Sequence, residues 1–464
     1  MTRMRRGVLA AVVCLASAAG SREAAAAGFA TQHFGGEQGT VLSTNPTAVY
    51  YNPGAIGFSE GIHLYLDGDI ALRHASWTHQ APPRGPQDQP DSQVGNSGTA
   101  HLFNVFAGPA MAATLRLGNF AFGAGLFVPF GGRVNWGTTN GDPKYSFTAD
   151  GVQRWHQIDA ALTFLQISAG MAYRLGPLSI GATGSFINSQ ITDDQAKSQS
   201  GYVDTTAEER ANLNVAGNNG SYAVGAMLEA IPRRLWLGAS YQAQPGLGEQ
   251  VLKGSFTLTT GAAPTYVASA PLVQQIDFHQ SLPDVIRAGI RLAVTPGFEL
   301  RAYGDYTRWS KMTSQCINTQ TSNTCLVHAD GSAVGGGVVA NLVRNWKDTF
   351  SAHLGTSVFV SPDVEIFGGA GYETGAEPDA TVEPGTMDGN NISASLGGRF
   401  NIANYLFLAA SYTQLQFLDR TVTSSQLATL PNGNPVAQPT YQQDGNGQYT
   451  QWVGVVDINI EKQF

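Results

Sequence analysis

The fold class predicted for this chain is all-β membrane: a 14-stranded antiparallel transmembrane β-barrel with a small, partly helical N-terminal plug in the lumen. Three observations predict it: repeated period-two alternation, an asymmetry between short turns and long loops, and an export-type N-terminus on a weakly charged, Gly-rich chain. Of 464 residues, 55 are Gly and only 13% are charged, against about 25% charged and about 7% Gly in ordinary soluble domains.

Residues 1–26 read as a signal peptide. Arg3, Arg5 and Arg6 precede a small-to-apolar run from Gly7 to Ala19, and Ala24-Ala25-Ala26 fits the A-x-A cleavage pattern. The run is too short to span a bilayer, and Val13 ahead of Cys14 is too large for a lipoprotein site. Cleavage would leave 22 Lys and Arg against 33 Asp and Glu, a net charge of −11 with no basic cluster. That balance argues against nucleic acid as a partner.

Residues 27–61 are assigned to the plug. Its inner end, NPTAVYYNPGAIGFSEG (45–61), carries two Asn-Pro pairs. Asn can cap free N–H groups while Pro already holds a helical φ, so Asn45 and Asn52 are expected to cap two short helices in succession. The barrel, residues 62–464, then begins at Ile62.

Alternation carries the strands. In IHLYLDGDIALR (62–73) Ile62, Leu64, Leu66, Ile70 and Leu72 share one face, and His63, Tyr65, Asp67, Asp69 and Arg73 the other. FELRAYGDYTRWS (298–310) and TFSAHLGTSVFV (349–360) repeat the pattern at lengths beyond ordinary globular strands. Six tight turns, near residues 118, 176, 232, 296, 362 and 403, separate strand pairs. Between them lie long polar stretches at 74–99, 130–153, 192–219, 310–343, 374–390 and 418–448, with a seventh, shorter one expected near 244–254. Six short turns and seven long loops join 14 strands with both ends on the short-turn side, the arrangement of outer-membrane barrels. No apolar run after the signal approaches the length of a transmembrane helix. The lumen-facing set is expected to include Phe127, Trp155, Phe359, Phe367, Phe407 and Leu415, an apolar tinge unlike a charged porin lining.

Within FAFGAGLFVPFGG (120–132), Gly123, Gly125 and Pro129 make the third strand irregular, because Gly in a strand marks a bulge or close approach and Pro removes a ladder donor. Cys316 and Cys325, in CINTQTSNTC, are expected to close a surface loop as a disulfide. The final strand ends at Phe464, and a terminal aromatic there resembles the signal read by the barrel-assembly machinery.

Taken in order, Gly28-Phe29, AVYYNPGAI, VPFG (128–131), YTRWS (306–310) and NWKDTFSAHLG (345–355) resemble the FadL-type outer-membrane transporters of long-chain fatty acids and aromatic hydrocarbons. Gly54 departs from the family, which usually has Ala after its Asn-Pro. The resemblance implies passive, gated uptake of fatty acids or arenes by a monomer, with outer-membrane lipid and lipopolysaccharide around it. No cofactor, metal or energy coupling is implied. Cargo would pass to a pocket floored by the plug and leave sideways where the third strand bends, near Gly123, Gly125 and Pro129. On this reading Phe29, Phe34, Phe127 and Trp155 line the ligand path, with Ala27, Gly28 and His33 beside the first two. Asn52, Pro53 and Gly54 hold the plug to the wall near the third strand. Arg154 or Lys347 would supply the charge-assisted contact that a carboxylate cargo needs. The alternatives are a general diffusion porin and a lipid-active outer-membrane enzyme. The second needs Ser, His and an orienting group in reach of one another, and none of the nine His sits in a catalytic or metal string such as HExxH.

Overall fold

A computed structural model describes residues 35–80, 96–136, 150–198, 203, 208–259, 272–322, 325–403 and 405–464. The signal peptide and the expected pocket floor at Ala27, Gly28, Phe29, His33 and Phe34 lie outside the described residues.

Fourteen wall strands follow one another around a closed barrel. The first six are long and unbroken: β1 Ile62–His79, β2 Gly98–Leu117, β3 Phe120–Asn135, β4 Asp159–Leu175, β5 Leu178–Ser198 and β6 Glu208–Ile231. The next four each come in two pieces. These are β7 (Leu235–Gln242, then Gln250–Thr259), β8 (Leu272–Gln280, then Val285–Thr295), β9 (Phe298–Thr307, then Ser314–Thr319) and β10 (Val338–Val343, then Thr349–Ser361). The last four are β11 Val364–Glu373, β12 Asn391–Ala403, β13 Leu406–Phe417 and β14 Gly447–Gln463. All neighbours run antiparallel, and β14 pairs with β1 from His63↔Gln463 to Thr78↔Gln448, which closes the wall. Lipid offers no partner for an open edge, and this closure leaves the sheet without a free first or last strand.

The seventh loop is not where the sequence placed it. Residues 243–249 are an interruption within β7, around a short 3-10 turn at Pro245–Leu247, and both pieces of β7 pair with β6. The chain turns back instead between Thr259 and Leu272. The strand count is unchanged because one interruption was read as one loop.

Which face meets lipid follows the alternation. Ile62, Leu64, Leu66 and Ile70 are exposed on the outside of β1, whereas His63, Tyr65, Asp67, Asp69 and Arg73 are buried inside. The outward band is apolar on β10 as well, through Phe350, Leu354, Val358 and Val360. Among the expected lumen residues, Phe127 and Phe367 are fully enclosed, but Phe359 is 40% exposed near the short-turn end.

The lumen is divided. Toward the long loops, inward side chains of β3–β10 build an apolar belt that includes Phe130, Phe164, Leu252, Phe278, Trp309 and Trp346. Toward the short turns it holds the plug, which packs on apolar wall residues that include Ala112, Ala121, Phe127, Ala172 and Met227. There α1, Ala48–Tyr51, is followed by a 3-10 turn at Pro53–Phe58. Asn52 caps the second element, its Oδ1 accepting from Gly54 N at 3.1 Å. Asn45 does not cap α1, whose N-cap is Thr47 without a side-chain bond; Asn45 Oδ1 accepts from Thr47 N at 3.1 Å and orders the turn before the helix.

Candidate functional site

The plug is seated by side chains and by missing side chains. Asn52 Nδ2 donates to Val41 O at 2.9 Å within the plug and to Ala226 O at 3.0 Å on β6, and Ser240 Oγ on β7 donates to Tyr51 O at 2.6 Å. Asn52, Pro53 and Gly54 therefore lie against β5–β7 rather than β3, correcting the expected placement. Backbone approaches backbone there: a Cβ on Gly54 would fall 2.6 Å from both Ala226 Cα and Gly225 O. Side chains at Gly181, Gly225 or Gly238 would likewise strike Pro53, Asn52 or Val41.

The plug meets β3 through other residues. A Cβ on Gly123 would sit 2.6 Å from Val49 Cγ2 and 3.2 Å from Ile56 Cδ1, so that glycine admits the plug's apolar face. Phe127 is fully buried, its ring 5.4 Å from that of Tyr50. Gly125 lies under the same ring, 2.6 Å from its nearest atoms as measured from an added Cβ.

Above this contact β3 leaves its neighbour. The β2–β3 ladder holds seven pairs, Leu117↔Phe120 to Met111↔Leu126, and stops. The part of β2 from Gly98 to Ala110 pairs with β1 only. β3 keeps its pairing with β4 but shifts register between Phe127 and Phe130, the step that contains Pro129. Residues 127–132 are buried on both faces, so alternation is lost and the strand turns inward. Higher up, Asn104 on β2 reaches across, its Nδ2 donating to Asn135 O and its Oδ1 accepting from Asn135 N, both at 3.0 Å.

A cavity of about 90 Å³ opens in the upper lumen. Leu162, Ile191, Leu213 and Phe278 form its apolar side, and Gln157, Gln315, Arg344 and Glu383 its polar side. Arg344 is buried, ion-paired with Glu383 and bonded through Nε to Gln315 Oε1 at 2.9 Å. His156 Nδ1 lies 3.0 Å from the other Glu383 oxygen. Burial pushes the Glu383 carboxyl up, yet the Arg344 charge and the His156 contact outweigh it and hold it down at about 2. Nearby in the same loop, burial and the Asp388 carboxylate raise Glu377 to about 8.

The two cations chosen from sequence are elsewhere. Arg154 is wholly buried, with Nε on both Glu208 oxygens at 3.1 and 2.9 Å and its other nitrogens on Gly151 O and Asn96 Oδ1. Trp155 Nε1 joins the same Asn96 oxygen at 2.7 Å. Lys347 is exposed, and its backbone N–H bonds Ala376 O at 2.8 Å. Its neighbour Asp348 accepts instead from Tyr306 Oη at 2.5 Å and Ser310 N at 2.9 Å. Arg344 was missed; its signal was an arginine flanked by Val343 and the NWKD motif, at the inward end of a strand. Cys316 and Cys325 are joined as a disulfide with Cα atoms 6.0 Å apart, fastening the 320–337 connection to β9.

A closed barrel with an apolar outer band and a short helical segment folded inside it defines an outer-membrane protein built around an internal lumen. A family model described as outer membrane protein transport protein (OMPP1/FadL/TodX) matches residues 7–451, and the chain belongs to that family of transport proteins. Among solved structures, a FadL homologue from Pseudomonas aeruginosa is 16% identical, with a TM-score of 0.70 over 96% of this chain and 99% of its own. The Pseudomonas putida toluene transporter TodX is 16% identical, with a TM-score of 0.65 over 94% and 98%. The Ralstonia pickettii toluene transporter TbuX, also 16% identical, reaches 0.59 over 94% and 98%. No curated protein matches the chain by sequence.

Proposed function

We propose that this barrel admits hydrophobic small molecules, long-chain fatty acids or arenes, through the outer membrane by passive, gated diffusion and releases them sideways past β3. Cargo enters between the long loops, passes the apolar belt and the cavity at Leu162 and Phe278, and stops above the plug. The single observation that carries the reading is the lapse of the β2–β3 ladder above Met111↔Leu126, where β3 turns inward. A seam without ladder bonds opens at less cost than a paired stretch of wall, which must break several hydrogen bonds to part. Sideways exit also keeps apolar chains out of water, worth about 0.8 kcal/mol per CH₂. The neutralised state of Arg344 supports uncharged cargo or a carboxylate that displaces Glu383. A plug folded into the lumen weighs against a general diffusion porin.

The test is a staple across the seam. Asn104→Cys with Asn135→Cys should form a disulfide that holds β2 to β3, and uptake of labelled oleate or toluene into proteoliposomes should fall at least tenfold, recovering on reduction. Uptake indifferent to the staple would overturn sideways release, and free ion conductance by the wild-type chain in a planar bilayer would favour a porin.

A further inference from the structure

Three acidic side chains meet inside the barrel where the plug enters it. Asp67 and Asp69 on β1 and Asp457 on β14 each offer an oxygen, all within 4.8 Å of one another. Their residues are 8%, 2% and 2% exposed. Oxygens bound to a common Ca²⁺ at about 2.4 Å can be no more than about 4.8 Å apart.

The outer oxygens are held in place, as second-shell partners hold metal ligands. Gly35 N donates to Asp67 Oδ2 at 2.8 Å, and Asn459 Nδ2 to Asp457 Oδ1 at 2.9 Å. Asp67 Oδ1 and Asp457 Oδ2 find no donor among the described residues apart from each other's carboxyl. No Arg, Lys or His of the described residues forms an ion pair with Asp67 or Asp457. Buried carboxylates left uncompensated are strongly unfavourable.

A second group points to the same place. Tyr65, 2% exposed, stands one step below Asp67 on the inward face of β1, and its Oη has no hydrogen-bond partner among the described residues. It lies within the field of all three carboxylates. An added Cβ on Gly35, the residue that bonds Asp67, would be 2.9 Å from that Oη. A buried phenol with no partner beside oriented carboxylates is a donor and acceptor set for a hydrated ion.

We propose that Asp67, Asp69 and Asp457, with Tyr65 beside them, bind a hard divalent cation of the Ca²⁺ type. Carboxylate ligation selects hard cations such as Ca²⁺ or Mg²⁺ over softer metals, and Ca²⁺ tolerates the more irregular oxygen geometry. The cation joins the first and last wall strands to the plug, because Gly35 bonds Asp67 and Gly36 packs on the Asp457 side chain.

The full barrel, purified in detergent and stripped with chelator, is titrated with Tb³⁺ while tyrosine is excited. Saturable sensitised emission that Ca²⁺ displaces is expected, with Asp457→Asn weakening binding roughly tenfold or more as one ligand charge is lost. Tyr65→Phe should lower the emission, and calorimetry should find Ca²⁺ bound more weakly as the hydrated ion loses that partner. Heat-modifiable gel mobility reports folding, and wild-type calorimetry decides the matter should Asp457→Asn fail to fold. Absence of a Ca²⁺ heat in the wild type, or emission unchanged in a folded Asp457→Asn, would overturn the site and leave the carboxyls sharing protons.

Discussion

A methyl group at position 54 has no room. The family usually carries Ala there, yet in this chain Gly54 lies flat on the backbone of Gly225 and Ala226. Gly54→Ala should lower stability by about 1–3 kcal/mol through overpacking, read as a lower unfolding temperature and faster proteolysis of the plug. Arg344 makes the opposite point, since its value lies in what it neutralises. Arg344→Met strands Glu383 in a buried site and should cost about 3–5 kcal/mol, whereas Arg344→Met with Glu383→Leu should recover much of it. Denaturant unfolding of the two variants checks this. At this scale the sequence was a partial guide. Asn52 could be read as a cap because its partner is two residues away. Arg154, Lys347 and Arg344 could not be ranked, because their partners Glu208, Ala376 and Glu383 lie tens of residues off.

Single elements explain where function and irregularity coincide. Pro129 sits in the register shift of β3 and cannot donate to a ladder. Pro129→Val returns an N–H and a β-former, so β3 should straighten toward β2 and uptake should fall several-fold without loss of folding, as proteoliposome flux would measure. The loop at 374–390 carries a pH response. Glu377, raised to about 8, sits above its unfolded value, so its contribution is complete below about 4.5 and is lost as pH rises through about 8. Glu383, held at about 2, contributes above about 4.5 and fades only as pH falls toward 2. Protection factors in this loop, corrected for intrinsic exchange, should therefore fall between pH 5 and 8 in the wild type and change less in Glu377→Gln. The bend of β3 was legible from Pro129, whereas Gly123 and Gly125 keep their ladder partners below it, and Gly123 instead admits Val49 and Ile56 of the plug. The breaks in β7–β10 were not, except as turn chemistry, and at 243–249 that chemistry was read as a loop. Part of what spans those breaks belongs to the resemblance motifs themselves: Arg308 of YTRWS pairs with Asp284, and Asp348 of NWKDT binds Tyr306 and Ser310.

For the whole molecule, the strand count, antiparallel order and lipid face were all readable, since alternation and turn spacing are local properties. The seat of the plug was not, because it depends on which glycines of distant strands come to lie opposite Val41, Asn52 and Pro53. That seat has a consequence for assembly. The plug precedes every wall strand in the chain, yet its resting place on Gly181, Gly225 and Gly238 exists only after β5–β7 have paired. The wall is sealed only when β14 meets β1, the strand the plug runs directly into. The face that receives the plug is therefore complete only once β5–β7 stand side by side, so the first segment of the chain rests on strands made after it.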